Sequence, residues 1–219
     1  MTIKATTIFL VRHAAHDRVD SILCGRMAGV GLGAEGRRQA TLVASRLKRE
    51  RIEAIRTSPI TRARETADLV ADTLGLHART DDALAEIDFG EWTGRSFASL
   101  QGDPDWERWN ASRASARAPG GESMAEAQAR AVNAVRRVAA GHPGGRVALV
   151  SHADVIKGVL AFHLGLSLDA HARFDVAPAS LSALVLWPEG GSFGGKVLSI
   201  NETVPETLSV ATPAAMEAA

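Results

Sequence analysis

The sequence contains one cysteine, Cys24, and its lysines and arginines together equal its aspartates and glutamates at 25 each. A single cysteine excludes an internal disulfide framework and suits a reducing compartment. A formal net charge of zero leaves no global field that attracts nucleic acid or a membrane surface. No apolar stretch approaches the roughly 18 residues of a membrane-spanning helix. Residues 1–11 also lack the long apolar core and cleavage site of a signal peptide, so we expect a cytoplasmic protein.

The rest of the composition is that of a globular protein. Hydrophobic residues make up 46% of the 219 residues and charged residues 23%, which is enough apolar material for one full core. We therefore expect a single domain over residues 1–202. The stretch 203–219 is rich in threonine, proline, glutamate and alanine, a composition typical of a flexible C-terminal tail.

Strand and helix patterns alternate along the chain. The patterns predict strands at 8–11, 52–56, 147–150, 182–187 and 196–200, and helices over about 34–50, 124–140 and 153–164. Ser58 and Pro59 predict a further helix, with Ser58 as its cap and Pro59 as its first residue. Ser123 and Glu126 fit a capping box at the start of the helix over 124–140. Residues 84–92 allow a strand and a loop, and 97–109 one or two short helices. The alternation indicates an α/β fold with a mostly parallel sheet, helices on both faces and an antiparallel hairpin at one edge.

Two of the apolar runs end in a polar residue followed by histidine. Arg12 and His13 follow the first run, and Ser151 and His152 follow a much later one. Open α/β sheets bind their ligands at the carboxyl ends of parallel strands. We therefore expect the two histidines to face one pocket.

The residue types near these histidines suit a phosphate group. Arg12 and Arg62 supply fork-shaped donors that match phosphate oxygens, and the helix that carries Arg62 adds the dipole of its N-terminus. A neutral His13 with a free ring nitrogen is a candidate nucleophile toward phosphorus. Glu86 lies in an apolar stretch that raises a carboxyl pKa, so it is the candidate proton donor for the leaving alkoxide. Asp88 and Glu91 remain alternatives because they lie close in sequence.

A set of short motifs matches a known family in order along residues 8 to about 200. The motifs are LVRHA at 10–14, SPITRARETA at 58–67, LAEIDFGEWTG at 84–94, PGGES at 119–123 and VSH at 150–152. Together they resemble the histidine phosphatase superfamily, the phosphoglycerate mutase-like proteins. The resemblance implies a three-layer α/β/α sandwich and no cofactor.

The same resemblance implies a role for each candidate. His13 would carry a phosphohistidine intermediate, and Glu86 would be the proton donor and later the base for water. Arg12, Arg62 and His152 would bind phosphate and stabilise the transition state. No metal is required, because arginines and histidines neutralise the charge that develops on the phosphoryl oxygens.

Some positions depart from the family pattern. Ala14, His16 and Val19 stand where the family usually has glycine, serine or threonine, and asparagine. His16 is therefore a candidate substrate-binding residue. Ala153 replaces a common glycine after the second histidine, but its backbone N–H stays available to an anion, so it is a further candidate.

The substrate question stays open at the sequence level. The stretch around Glu86 lacks the asparagine-glutamate-arginine-aromatic pattern of the mutases, which favours a phosphatase acting on a small phosphorylated metabolite. A phosphoglycerate mutase is the alternative, and a binding protein for phosphorylated ligands, without turnover, is the third. We expect neither a nucleic-acid partner nor a membrane partner, and a homodimer is one option for the assembly. Four other histidines lack ligand spacing and read as structural or solvated, namely those at 77, 142, 163 and 171.

Overall fold

A six-stranded sheet organises the chain. We analysed a computed structural model, which describes residues 4–19 and 21–205. The strands are β1 (Thr6–Arg12), β2 (Ala54–Thr57), β3 (Ala78–Thr80), β4 (Arg146–Ser151), β5 (Leu181–Glu189) and β6 (Ser192–Glu202). The α-helices are α1 (Ala34–Leu47), α2 (Thr61–Leu74), α3 (Phe97–Leu100), α4 (Pro104–Ala111), α5 (Met124–Gly141) and α6 (Ala153–Leu164).

The two strands that precede the histidines lie side by side in the middle of the sheet. The strand order is β3-β2-β4-β1-β5-β6. β1 pairs with β4 in parallel, and β2 pairs in parallel with β4 and with β3. β5 pairs antiparallel with β1, and β6 pairs antiparallel with β5 at the sheet edge. The mostly parallel sheet and the edge hairpin are both confirmed.

Helices cover both faces of the sheet. Side chains of a strand alternate between the two faces, and β1 follows this rule with buried residues on each side. Ile8 and Leu10 pack in the core beneath α5 and α6, whereas Phe9 and Val11 pack in the core beneath α1 and α2. The three-layer α/β/α sandwich is therefore confirmed.

The start of α5 follows its sequence signal. The Ser123 hydroxyl accepts the Glu126 N–H at 3.2 Å, and the Glu126 carboxylate accepts the Ser123 N–H at 3.0 Å. This capping box satisfies two backbone donors that the helix itself cannot pair, and such a cap contributes about 1 kcal/mol.

The start of α2 does not follow its sequence signal. The helix begins at Thr61 with Ile60 as its N-cap, so the prediction of Ser58 as cap and Pro59 as first helical residue is wrong. The Ser58 hydroxyl is already engaged elsewhere. It accepts the Ile60 N–H at 3.2 Å and lies 2.8 Å from His152 Nε2 on the neighbouring strand end.

The segment before α3 has no strand, so the possible strand within 84–92 is wrong. It forms two short 3-10 turns instead, Asp82–Leu84 and Gly90–Trp92. Its carbonyl groups bind side chains rather than another strand; the Leu84 carbonyl, for example, accepts the Ser151 hydroxyl at 2.7 Å. The short helices predicted within 97–109 are confirmed as α3 and α4. β3 was not predicted, because a strand of three residues is too short to show alternation.

The last described residues, 203–205, follow β6 without regular structure. The rest of the predicted flexible tail, 206–219, lies outside the described residues, and the domain boundary at 202 stays a prediction. Within the described part of the chain, no helix is long and apolar enough to cross a membrane.

Candidate active site

The carboxyl ends of β1 and β4 bring the two predicted histidines together. In the parallel register Arg12 lies opposite Ser151, and the His13 N–H donates to the Ser151 carbonyl at 2.9 Å. The next residue of each strand is therefore a histidine at the same edge of the sheet. The ring centroids of His13 and His152 are 5.1 Å apart. The two histidines therefore lie together, but only His13 lines the pocket described below, whereas His152 is completely buried.

The protonation state of His13 follows from its contacts. Its Nδ1 lies 2.9 Å from the Ala14 carbonyl oxygen. Because a carbonyl oxygen only accepts, Nδ1 carries the proton and Nε2 carries the lone pair. That lone pair accepts the Arg62 Nε–H at 3.1 Å. Burial, and then the charge of Arg62, lowers the pKa of His13 well below its usual value, so the ring is neutral at neutral pH.

Arg62 is the central cation of the site. It lies in the first turn of α2 and is only 2% exposed. Besides the bond to His13, its Nη2 donates to the Gly25 carbonyl at 2.8 Å and lies 3.2 Å from His152 Nδ1. Its Nη1 is buried without a hydrogen-bond partner among the described residues. An unmet guanidinium donor of this kind suits an oxygen of an anionic ligand.

His152 is completely buried behind Arg62. Its Nδ1 accepts from Arg62, so the proton sits on Nε2, which donates to the Ser58 hydroxyl at 2.8 Å. Burial, and then the charge of Arg62, lowers the pKa of His152 well below its usual value. The ring therefore rests neutral, with its orientation held from both sides.

Glu86 is the acid that reaches this group, and neither sequence alternative does. Its Oε2 lies 3.9 Å from Arg62 Nη2 and 3.7 Å from His152 Nδ1. Burial, and then repulsion from Asp154, raises the pKa of Glu86 to about 7, although Arg62 opposes the rise. Asp88 pairs instead with Arg26 at 3.5 Å, and Glu91 is exposed. A carboxyl group of this pKa holds a proton near neutral pH and can release it.

A pocket of about 170 Å³ opens over His13, Arg62 and Glu86. Its charged lining residues within the described ranges are Arg12, Arg62, Glu86 and Asp154. The apolar part of the lining consists of Val19, Ile22, Leu23, Phe89 and Phe97. A larger hollow of about 400 Å³ beside Arg26 contains none of the predicted site residues. The candidate nucleophile, arginines and acid therefore lie at the smaller pocket.

His16 and Ala153, the substrate-binding candidates at positions that differ from the family pattern, also line this pocket. His16 lines the pocket and stacks on His13 with ring centroids 5.6 Å apart. Burial, and then Arg62, lowers the pKa of His16 to about 4, so it is a neutral neighbour. Ala153 lines the pocket at the N-terminus of α6. Ala14 instead faces the core, and its N–H donates to the Thr66 hydroxyl at 3.0 Å.

Comparison with protein families adds a decisive match to this geometry. A model of the histidine phosphatase superfamily (branch 1) matches residues 8–197. The chain belongs to the histidine phosphatase superfamily. The matched span includes all the predicted site residues, so the superfamily assignment and the pocket concern the same part of the chain.

Similar proteins within this superfamily bear different names. "Bifunctional protein Rv2228c" of Mycobacterium tuberculosis is 32% identical over 200 residues, which cover 90% of this chain and 54% of that protein. "Probable phosphoglycerate mutase GpmB" of Yersinia enterocolitica is 35% identical over 179 residues, covering 80% of this chain and 82% of that protein. The structure of mycobacterial glucosyl-3-phosphoglycerate phosphatase Rv2419c has a TM-score of 0.81 at 26% identity and covers 91% of this chain and 100% of that chain. This chain thus spans about half the length of the first of these relatives, 54%.

One important residue of this histidine phosphatase superfamily member gave no sequence signal. Arg130, on α5, donates to the carbonyls of Ala83 and Ala85 at 2.8 and 2.7 Å and to that of Glu86 at 3.2 Å. The guanidinium also binds the Glu122 carboxylate at 2.7 and 2.8 Å. These bonds hold the irregular segment that carries the acid. An arginine on an amphipathic helix reads as a surface residue, so only the folded chain assigns it this position.

The remaining histidines do not join the site. His163 and His171 both have a lowered pKa, caused first by burial, and neither lines the pocket. His77 is exposed. Across residues 4–19 and 21–205, no group of three or more histidine, cysteine, aspartate or glutamate side chains has the arrangement of a metal site. The absence of a metal from the reaction stays a prediction.

Proposed function

We propose that this chain hydrolyses phosphomonoesters of small metabolites through a phosphohistidine on His13. The observation that carries the proposal is the state of the His13 ring. The Ala14 carbonyl oxygen accepts from Nδ1, so the proton of the His13 ring lies on Nδ1 and the lone pair on Nε2. That lone pair faces Arg62, whose Nη1 has no hydrogen-bond partner among the described residues. A neutral imidazole with a fixed tautomer is a competent nucleophile toward phosphorus.

The phosphoryl group binds between the arginines in this proposal. Its oxygens take the Nη1 donor of Arg62, the guanidinium of Arg12 and the Ala153 N–H, where the N-terminus of α6 also favours an anion. His16 Nδ1 accepts the Arg18 N–H at 3.2 Å, so its Nε2 carries a proton that it can donate to the ligand. His152 rests neutral, and a bound dianion stabilises its protonated form next to the phosphoryl group.

The first half-reaction transfers the phosphoryl group to the enzyme. His13 Nε2 gives up the hydrogen bond from the Arg62 Nε–H and attacks phosphorus. A P–N bond forms while the P–O bond to the alcohol breaks. Glu86 gives its proton to the departing alkoxide, so the alcohol leaves neutral and Glu86 becomes a carboxylate.

The second half-reaction regenerates the enzyme. The Glu86 carboxylate takes a proton from water as the water oxygen attacks phosphorus. The P–N bond breaks, inorganic phosphate leaves, and His13 again carries its Nε2 lone pair. The pKa of Glu86 near 7 suits both directions of proton transfer at neutral pH.

The lining of the pocket favours hydrolysis over mutase chemistry. A phosphoglycerate mutase must hold a carboxylate as well as a phosphoryl group, and this needs cations beyond the phosphate-binding pair. Among the described lining residues the only cations are Arg12 and Arg62. The name of the GpmB relative keeps mutase chemistry as the second candidate. A binding protein without turnover, the third candidate, has no need of an acid with the raised pKa of Glu86.

The setting of the reaction is also part of the proposal. We infer a cytoplasmic location from the single, buried and unpaired Cys24. We expect no nucleic-acid or membrane partner, since the net charge is zero. The homodimer stays a prediction.

The test is release of inorganic phosphate from para-nitrophenyl phosphate and from a panel of alkyl phosphates, with a chelator and no added metal. We expect turnover by the wild-type chain and by His77→Ala, a control at an exposed histidine. We expect no turnover by His13→Ala and no phosphoprotein after a rapid alkaline quench. 3-Phosphoglycerate is assayed alongside these esters, and its rearrangement without phosphate release would replace hydrolysis by mutase chemistry. Wild-type turnover retained by His13→Ala would overturn the proposed nucleophile.

A further inference from the structure

One carboxylate in the pocket transfers no proton in the reaction described above, although its charge helps to raise the pKa of Glu86. Asp154 follows Ala153 in the first turn of α6 and lines the pocket together with the phosphate-binding arginines. Its side chain is 23% exposed. The residue therefore presents an acceptor to any molecule that fills the space beyond the phosphoryl group.

An ion pair with Arg113 fixes the position of the Asp154 side chain. Its Oδ2 accepts Arg113 Nη1 at 3.1 Å. Arg113 is itself buried, lies over the Trp109 ring at 5.3 Å and donates to the Asn110 side chain at 2.9 Å. Arg113 does not line the pocket, so the ligand side of this ion pair is the carboxylate.

The second oxygen of Asp154 has a weaker neighbour. His171 Nε2 lies 4.0 Å from Oδ1, which is beyond hydrogen-bond distance. Burial, and then Arg113, lowers the pKa of His171 to about 4, so this ring brings no positive charge at neutral pH. Oδ1 is therefore able to accept a hydrogen bond from a ligand.

The rest of the pocket offers little to a second anionic group. The two lining arginines bind the phosphoryl group. Apart from Asp154, the other described lining side chains are Glu86, the neutral His13 and His16, Cys24 and a set of apolar residues. A carboxylate on the alcohol part of a substrate would meet Asp154 without an intervening cation, and like charges in a partly buried site repel.

We propose that Asp154 selects the alcohol part of the substrate, which carries a hydroxyl or ammonium donor and no carboxylate. The inference rests on the proposed phosphatase function and adds a substrate class to it. The phosphoryl group anchors at the arginines, the carbon chain of the alcohol packs against the apolar wall, and the donor reaches Oδ1 of Asp154. A pocket of about 170 Å³ suits an alcohol of a few carbon atoms.

The test compares four substrates of similar size in the wild type and in Asp154→Asn. They are 2-aminoethyl, 2-hydroxyethyl, propyl and carboxymethyl phosphate. Each ratio of kcat/KM between two substrates is compared across the two proteins, so a change in activity that is common to all four alkyl esters, such as one caused by a lower pKa of Glu86 in the variant, cancels. We expect the variant to lower the 2-aminoethyl-to-propyl ratio by about tenfold or more, because a hydrogen bond to a charged acceptor is lost. The carboxymethyl-to-propyl ratio should rise.

The substitution is chosen to keep the fold, since the asparagine amide oxygen still accepts from Arg113. Asp175→Asn is the matched control: its side chain is 90% exposed, and it lies 3.9 Å from Lys157. This control should leave every ratio unchanged.

Para-nitrophenyl phosphate separates the two levels of failure. Wild-type turnover of this substrate with unchanged ratios in Asp154→Asn would overturn the Asp154 inference alone. No turnover of any ester would overturn the phosphatase function itself. A second measurement needs no variant: the wild type should bind 2-aminoethylphosphonate more tightly than propylphosphonate and phosphonoacetate, and tightest binding of phosphonoacetate would also overturn the inference.

Discussion

Replacing Glu86 with glutamine removes one proton-binding site and keeps the shape of the side chain. The carboxyl group is 12% exposed at its side chain, so solvent screens it little. Its pKa rises from 4.5 to about 7 in the folded chain. Each pKa unit corresponds to about 1.4 kcal/mol, so ionising Glu86 in the fold costs roughly 3 kcal/mol more than ionising it in the unfolded chain.

The sign of the stability effect follows from this raised pKa. Below about pH 4.5 the carboxyl group is protonated in both states and makes no difference. As the pH rises from about 4.5 to about 7, the unfolded chain releases this proton while the folded chain keeps it, so the free energy of unfolding falls. Above about 7 the whole penalty applies. Glu86→Gln carries no such penalty, and its advantage over the wild type should grow by roughly 2–3 kcal/mol between pH 5 and pH 8.

Urea unfolding of both proteins at pH 5, 6, 7 and 8 measures this difference, and titration of other groups cancels between them. The activity of the same pair tests the acid role. For an alkyl phosphate, kcat/KM of the wild type should fall as the pH rises through about 7, because the proton donor is lost. The variant should be slow at every pH, and least impaired with para-nitrophenyl phosphate, whose leaving group needs no proton.

Two results would refute this reasoning. A stability difference that stays constant from pH 5 to pH 8 would mean that the fold does not raise the pKa of Glu86. Equal loss of activity with good and poor leaving groups would mean that the residue is not the proton donor.

Two further substitutions test the arginines. Arg62→Lys should lower kcat/KM for para-nitrophenyl phosphate by about a hundredfold, because one ammonium group cannot replace all the contacts of the guanidinium. Arg64→Lys, at an exposed position of the same helix, is the control. Equal values of kcat/KM in the two variants would contradict this expectation. Arg130→Lys should displace Glu86 and so lower kcat for alkyl phosphates by about tenfold to a hundredfold, with a smaller loss for para-nitrophenyl phosphate. Arg137→Lys is its control, because the Arg137 side chain is 59% exposed on α5. An equal loss of kcat with all substrates would contradict the role of Arg130 in positioning Glu86.

Several features of the site were predictable because they depend on local pattern. An apolar run of four or five residues that ends in a polar residue predicts a buried strand with a functional end, and both histidine strands obey this rule. The capping box at Ser123 uses groups three residues apart, so its signal is also local. The resemblance of the ordered motifs then predicted the three-layer fold, which the structure confirms.

Other features depend on contacts between distant parts of the chain. The sequence predicted Ser58 as a helix cap, but its hydroxyl is hydrogen-bonded to His152, 94 residues away. The sequence favoured Glu86 as the acid but left Asp88 and Glu91 as alternatives, and in the fold Glu86 is the one that reaches Arg62. Arg130 had no local signal at all, because its partners are carbonyl groups 44 to 47 residues earlier.

The sequence alone therefore specified which side chains stand at the ends of β1 and β4 and at the start of α5, since hydrophobic periodicity and capping act over a few residues. The folded chain specified which of them meet, which ring nitrogen carries a proton, and which carboxyl group has a raised pKa. These properties arise from burial and from charges on other elements, and neither exists until the helices close over both faces of the sheet.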